Sequence, residues 1–331
     1  IVARRRPAIA SRVRRPDLLW LVRLAAALPA PDVPLRCPEC SAAELEDAGA
    51  ALVCLACAQR YPVVLSKPVL IRPGNRLFPP GCMARMSSRP SARRRPVLPI
   101  SVNLSLRRCL KSLSEELPAD ARVLVVGAGT QRRHVERALR PDIRVVATDV
   151  AVGVDVDVYC DAHDLPFGDA VFDGVIATAV LEHVVDPARA MSEIHRVLRH
   201  RGFLYSEIPF IQQVHQGALD FTRLTLSGHR RLAAGFDAIA SGVTAGPCTA
   251  FAWSMEHLLI AFCNGRGRTL IKVFVRVGLF WLIQLDRLIA DRPASVDAAS
   301  CTFVLGRRRE HPIPDDDIVR RYSGAQQLPH P

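Results

Sequence analysis

From Arg122 onward, short apolar runs of β type alternate with helical stretches. That alternation is how a parallel sheet with crossover helices reads in a sequence. The predicted strands are Val123–Val126, Arg144–Thr148, a weaker Val154–Tyr159, Gly174–Thr178 and Phe203–Ile208. Asp186–Leu198 predicts a helix, because Asp186-Pro187 offers a cap followed by proline at the first helical position. His200-Arg201-Gly202 is expected to end that helix and turn into the next strand. Other helices are expected over 101–117, stopped by Pro118, near Arg132–Leu139 and near Leu226–Ala234. Asp237–Val243 and Cys301–Leu305 complete the strands. The expected class is α/β: a Rossmann-like, mostly parallel, seven-stranded sheet with an antiparallel last strand. No internal repeat is visible.

A long interval interrupts this order. The last two strands would normally pair antiparallel across a short connection, yet residues 244–300 separate them. Two apolar runs lie there, Phe251–Cys263 and Leu270–Ala290. Neither suits a membrane span, since the first contains Glu256 and His257 and the second Lys272, Arg276, Asp286 and Arg287. They predict amphipathic helices, with Leu270, Val273, Phe274, Leu279 and Trp281 opposed to the charged positions. A helical insertion at about 248–298 would leave the carboxyl edge of the sheet and cover or flank the site there. It is a lid, a dimer face, or a peripheral membrane contact serving a lipid-linked acceptor.

Of the 331 residues, 49% are hydrophobic and 23% charged, enough for a sizeable core and against wholesale disorder. The net charge of +12 suggests nucleic acid until it is located. Residues 1–36 hold eight Arg against Asp17 and Asp32, and residues 72–108 hold nine Arg and no acid. The remainder is near neutral. A solvated tail and linker is the expectation, with RNA or an anionic membrane as the alternative contact. The chain thus divides into a basic segment at 1–35, a cysteine unit at 36–72, an Arg- and Pro-rich linker at 73–100, an α/β domain at 101–310 and a tail at 311–331. Residues 17–29 are apolar but short, interrupted by Arg23, and followed by no small-residue cleavage site. They predict an amphipathic surface helix rather than a secretory signal.

Ten cysteines are present. Cys82, Cys109, Cys160, Cys248, Cys263 and Cys301 show no framework spacing, which suits a reducing, cytoplasmic setting, with membrane association left open. The other four form Cys37-Pro-Glu-Cys40 and Cys54-Leu-Ala-Cys57. A redox dithiol accounts for one such pair but not for two at this separation. Four thiolates predict a tetrahedral, closed and therefore structural Zn²⁺ site. So small a unit has little core, and the metal would largely hold it folded. With Tyr61-Pro-Val and Lys67-Pro-Val-Leu70, the segment resembles the small zinc-ribbon domain found beside, or fused to, methyltransferases. That resemblance implies stabilisation of a partner enzyme or help in presenting substrate.

Val123-Leu-Val-Val-Gly-Ala-Gly-Thr130 is an apolar strand entering a Gly-rich turn. Gly127 and Gly129 allow a sharp turn and close approach of a ligand. Asp149, ending the second strand, is suited to two ribose hydroxyls. A Gly-x-Gly turn alone also fits dinucleotide enzymes. The segments that follow are Cys160-Asp-Ala-His-Asp-Leu-Pro-Phe167, Phe172-Asp-Gly-Val-Ile176, Val180-Leu-Glu-His-Val-Val-Asp-Pro187, Glu193-Ile-His-Arg-Val-Leu198 and Gly202. In that order they resemble class I S-adenosylmethionine methyltransferases of the broad small-molecule type, over about residues 121–245. The resemblance implies that Gly127 and Gly129, with Ala128 between them, face the methionine part of S-adenosylmethionine. Asp149 would hold the ribose. Asp161 would bond the adenine amino group, with Ala162 lending its backbone. Ala179 would flank the bound cofactor. Val125 stands where the family usually has an acid, removing an expected partner for the cofactor's ammonium, and Gln131 where a third Gly is common.

Ligands of open α/β sheets bind beyond the carboxyl ends of the strands. Pro209–Arg223 emerges there and resembles the loop of methyltransferases carrying a His…Asp-Phe-x-Arg-x-Thr pattern. His215 is a candidate general base, with Asp220 and Arg223 as substrate candidates or as fasteners of the loop. His183 is a second candidate base, provided Val180–Val184 begins a helix. Positioning alone can also carry methyl transfer from a sulfonium. The function expected is methylation of an O or N atom of a small-molecule, glycan or lipid-linked acceptor. The alternatives are RNA methylation, against which stands the absence of an Asn-Pro-Pro-Tyr-like motif at Thr178–His183, and a non-catalytic zinc-ribbon scaffold.

Overall fold

The computed structural model describes residues 33–79, 98–152 and 155–326. The helix expected at 17–29 and Cys82 lie outside these residues. Seven strands make the α/β sheet: β5 (Arg122–Val125), β6 (Arg144–Asp149), β7 (Val158–Cys160), β8 (Phe172–Thr178), β9 (Leu198–Pro209), β10 (Phe236–Ala245) and β11 (Cys301–Arg308). Their order is β7-β6-β5-β8-β9-β11-β10. The first five run parallel, and β11 is antiparallel to both β9 and β10. This is the expected Rossmann-like sheet.

Alternate residues of the strands feed opposite sides. Leu124 and Val126 join one core layer with Val175, Ala177 and Leu204, while Val123 and Val125 join the other with Ile176, Phe203 and Tyr205. Helix α1 (Leu106–Glu116) buries Cys109, Leu110 and Leu113, and α2 (Arg132–Ala138) buries Val135, on the second side. Helix α3 (Pro187–Val197) buries Ala190, Met191, Ile194 and Val197 on the first. These spacings of three and four are the stripe of a surface helix. The side chain of Asp186 accepts the Arg189 N–H, as a cap should.

Several expectations need correction. His200-Arg201-Gly202 does not end α3. The helix stops at Val197, and all three residues lie inside β9, where a bulge shifts the register between Phe172 and Gly174 and Arg201 takes φ +59°. Of the weak strand expected at Val154–Tyr159, Val154 lies outside the described residues, and the strand observed is Val158–Cys160. The helix expected from 101 begins at Leu106, where the Asn103 side chain accepts the N–H groups of Ser105 and Leu106. The tail is packed as far as helix α4 (Leu226–Leu232), against which α10 (Asp315–Arg320) rests, with Ile313 and Ile318 buried.

The cysteine unit is not a separate body. Its strands β1 (Leu45–Asp47), β2 (Ala51–Cys54), β3 (Arg60–Val64) and β4 (Lys67–Leu70) form antiparallel neighbours. β4 then pairs in parallel with β7, Val69 opposite Tyr159 and Leu70 opposite Cys160, so one sheet of eleven strands runs through both parts. Nor is all of 73–100 a linker: Phe78 and Ile100 are buried core residues.

The insertion comprises α5 (Pro247–Ala261), α6 (Arg266–Gly278), α7 (Phe280–Gln284), α8 (Asp286–Ile289) and α9 (Pro293–Asp297). The expected opposition of a buried apolar stripe to exposed charges does not hold. Leu270 is 72% exposed, Phe274 74% and Trp281 62%, while Glu256 and Asp286 are buried. Glu256 accepts two hydrogen bonds from Arg276, at 2.7 and 3.1 Å, which joins α5 to α6. Asp286 accepts the N–H groups of Gly246, Cys248 and Thr249 at 2.9–3.1 Å, closing the start of α5. Glu256, Arg276 and Asp286 are the fasteners within a thin layer, while Lys272 and Arg287 stay exposed beside the apolar stripe. Leu279 alone of the stripe packs inward, beside Ala252 and Ile283. Among the described residues, no helix is long and apolar enough to cross a membrane.

Because Asp286 satisfies three backbone donors in a buried place, Asp286→Ala should lower stability by about 2–4 kcal/mol. Denaturant unfolding measures this. A loss below roughly 0.5 kcal/mol, the range of ordinary surface changes, would contradict the fastening role.

Candidate active site

The turn after β5 depends on its glycines. Gly127 has φ +62° and Gly129 φ +48°. A Cβ on Gly127 would also come within 2.4 Å of Val180 Cγ2. The Gly129 N–H donates to Asp149 Oδ2 at 2.7 Å, and the Ala151 N–H to Asp149 Oδ1 at 2.8 Å. The carboxylate that ends β6 is thereby pinned beneath the loop. Its burial pushes its proton affinity above the usual carboxylate range, against the pull of these N–H groups.

The loop opens onto a cavity of about 350 Å³. Gly127, Ala128, Gly129 and Asp149 line it, as do Asp161, Ala162 and Ala179. All seven residues expected at the cofactor are therefore brought together. Phe78 and His183 also line it. Val125 is buried in the core and Gln131 begins α2 at the rim, so Asp149 and Asp161 are the acidic side chains among the described lining residues.

Asp161, just after β7, is held from two directions. Its Oδ1 accepts from His163 Nδ1 at 2.6 Å, and its Oδ2 from Asn75 Nδ2 at 2.6 Å. Burial alone would raise its proton affinity, but the His163 ring and N–H override this and hold it below the ordinary carboxylate range. The same bond raises His163. Asn75 Oδ1 in turn accepts the N–H groups of Leu77 and Phe78. Asn75 and Phe78 fall within 73–100, where the composition predicts a linker. The sign available is a turn, Pro73-Gly74-Asn75, followed after Arg76 by the apolar pair Leu77-Phe78.

On the acceptor side, Val180–Val184 is a turn and not a helix, with the His183 N–H donated to the Val180 carbonyl. His183 nevertheless faces the cavity mouth. Its Nδ1 donates to the Leu219 carbonyl at 2.7 Å, and its Nε2 lies 3.1 Å from His215 Nε2. Burial lowers the proton affinity of His183. Asp220 binds the guanidinium of Arg223 and accepts the His215 N–H at 2.9 Å. Arg223 also donates to the Gln212 carbonyl. Burial works against the Asp220 charge, yet Arg223 and the His215 N–H hold its carboxyl far below the usual range. Asp220 and Arg223 thus fasten the loop that carries His215. Neither lines the cofactor cavity, and His215 meets it through His183.

Glu182 is the residue that motif reading passed over. It is buried, and Oε1 lies 3.7 Å from His183 Nε2 and 3.8 Å from His215 Nε2. Burial pushes its carboxyl up to about 8. Trp253 of α5 stands 6.4 Å from the His215 ring, and Gln213 donates to Ser254, so the insertion walls this side. Glu182 Oε2, Gln213 Oε1 and Trp253 Nε1 are buried polar atoms without a protein partner.

The four paired cysteines converge as well. All four sulfurs lie within 4.8 Å of one another, with Cys37 to Cys57 at 3.7 Å and Cys40 to Cys54 at 3.5 Å. Thiolates about 2.3 Å from a tetrahedral zinc stand roughly 3.8 Å apart. The two turns repeat one conformation: Ser41 (φ +66°) donates its N–H to Cys37, and Ala58 (φ +59°) to Cys54, each at 2.8 Å. The cluster is compatible with zinc.

Residues 124–206 match the family model described as a methyltransferase domain. The chain is 38% identical over 80 residues to an uncharacterized 37.1 kDa transposon protein of Streptomyces fradiae, covering 24% of this chain and 21% of that one. It is 29% identical over 117 residues to the O-methyltransferase rstn1 of Aspergillus nomiae, covering 30% and 52%. The matched part therefore spans about half of the second relative's length and about a fifth of the first's. Among solved structures, the cyclase SpnF is similar at 20% identity and a TM-score of 0.37, over 62% of this chain and 81% of that one. Sheet order, loop geometry and family match agree: this chain carries a class I, S-adenosylmethionine-dependent methyltransferase domain on a Rossmann-like sheet.

Proposed function

We propose that this protein transfers the methyl group of S-adenosylmethionine to a hydroxyl oxygen of a small-molecule acceptor. The observation that carries this is the junction at His183, which lines the cofactor cavity and touches His215. In such transfer an acceptor hydroxyl loses its proton as its oxygen forms the new C–O bond and the C–S bond breaks. Imidazole and carboxylate groups at that junction suit the proton's removal, and the cavity walls supply the alignment. His215, with Asp220 Oδ2 3.4 Å from its Nδ1, is the leading candidate, and His183 the second. The O-methyltransferase name of the Aspergillus nomiae relative supports oxygen as the acceptor atom. Incubation with labelled methyl donor and fractionated cell extract tests this. Label is expected in a small-molecule or lipid fraction and is expected to vanish with Asp149→Ala. No labelled fraction, or label only in RNA, would overturn it.

The exposed stripe favours a lipid-linked acceptor within that class. Leu270, Phe274 and Trp281 stand out beside the exposed Arg268, Lys272 and Arg287, a pattern suited to an anionic bilayer surface. Full-length protein is expected to float with vesicles containing an anionic phospholipid, and the Phe274→Glu, Trp281→Glu double variant to remain in solution. Equal flotation of both, or of neither, would exclude the membrane contact.

For Cys37, Cys40, Cys54 and Cys57 the proposed ligand is a structural Zn²⁺. Through β4 this unit carries Asn75 and Phe78 to the cofactor cavity, which supports a role for the metal in cofactor binding as well as folding. Losing a hydrogen bond to a buried carboxylate is worth about 1.5–3 kcal/mol, roughly ten-fold or more in affinity. Cys54→Ala should therefore abolish stoichiometric zinc in elemental analysis, lower the unfolding temperature and weaken S-adenosylhomocysteine binding by about ten-fold. Wild-type protein without zinc, or a variant with unchanged stability, would sink the assignment.

A further inference from the structure

The Glu182–His183–His215 group has a geometry that a proton-accepting pair alone does not explain. A ring nitrogen facing a carbonyl must carry its hydrogen, so His183 has Nδ1–H toward Leu219 and a lone pair at Nε2. The Asp220 carboxylate beside His215 Nδ1 favours the same tautomer there. Two lone pairs then face each other across 3.1 Å. Beside them is the carboxylate of Glu182, whose side chain is 1% exposed. Its Oε2 has no partner, and its Oε1 lies 3.7 and 3.8 Å from the two ring nitrogens. A carboxyl oxygen and two ring nitrogens, three atoms of the kind that ligate metals, thus converge within 4.8 Å of one another.

We propose that Glu182, His183 and His215 bind a divalent transition-metal ion through one carboxylate oxygen and the two Nε2 atoms. Ligand atoms about 2.0–2.2 Å from a metal lie roughly 3.0–3.6 Å from each other, close to the separations here. Two imidazoles and a carboxylate suit zinc, manganese, iron or cobalt. The outer contacts fit as well: a histidine ligand commonly donates its other ring N–H to a carbonyl or carboxylate, as His183 does to Leu219 and as Asp220 offers His215. The Asp220–Arg223 pair then holds a metal ligand in place. Three protein ligands leave coordination positions open, and the His215 side chain remains 24% exposed. On the methyl-transfer function proposed above, an acceptor bound by its hydroxyl oxygen would take one such position. Its oxygen would become a better nucleophile once the metal lowers the hydroxyl pKa and the proton leaves to water.

Titration of the full chain, its cysteine cluster loaded with zinc, with Co²⁺ tests this by absorption spectroscopy. One equivalent should bind with visible ligand-field bands and without the thiolate-to-cobalt charge-transfer band that cysteine ligation produces. His215→Ala and Glu182→Gln should each weaken binding by 10-fold to 100-fold, the usual effect of losing such a contact or more. His215 is partly exposed and outside the cofactor cavity, so His215→Ala is expected to keep S-adenosylhomocysteine affinity, measured calorimetrically on the same sample. No Co²⁺ bound, Co²⁺ bound only with the thiolate band, or wild-type affinity in both variants would overturn the inference. If S-adenosylhomocysteine still binds in that case, the methyltransferase function stands without the metal. If it fails to bind while Co²⁺ does, the metal site stands and the methyltransferase function falls.

Discussion

The hydrogen bond from the Gly129 N–H to the Asp149 carboxylate holds the site in shape. It ties the loop after β5 to the end of β6, and both glycines of the loop occupy left-handed backbone that other residues resist. Val180, from the turn after β8, fills the space over Gly127 that a side chain would need. Three adjacent parallel strands therefore end in one rigid cradle. The parallel order places those ends side by side, and everything a ligand would meet follows from that placement.

A second constraint reaches the cradle from outside the α/β sheet. Pairing of β4 with β7 brings the cysteine unit alongside, and the turn after β4 delivers Asn75 to Asp161 and Phe78 to the cavity wall. Four sulfurs clustered within 4.8 Å anchor the far end of the same unit. The unit is thus continuous with the site by hydrogen bonds and by sheet. On the other side, the insertion closes the acceptor end with Trp253 while turning Leu270, Phe274 and Trp281 outward.

What could be seen in the sequence was local. Gly127, Gly129 and Asp149 announce themselves through glycine chemistry and position at a strand end, Asp161 and Ala179 only through the family resemblance, and all line the cavity. The cysteine spacing predicted a converging cluster for the same reason. Features that depend on distant partners were hidden. Asn75 meets Asp161 across 86 positions, and nothing near Asn75 records that bond. Glu182 looks like an ordinary acid between Leu181 and His183, yet a turn buries it. Hydropathy put Glu256, Arg276 and Asp286 on a solvent face, whereas pairing between helices draws them inward. The bulge at Arg201 likewise depends on the neighbouring strand, which a helix-stop signal does not encode.

The central claim is that the cradle around Asp149 holds the methyl donor. Calorimetric titration of S-adenosylhomocysteine into wild-type protein and into Asp149→Ala tests it most directly. Single-site binding is expected in the wild type, weakened about fifty-fold or more in the variant, as the loss of ribose bonds to a buried carboxylate implies. No heat of binding in the wild type, or equal affinity in the two proteins, would contradict the account.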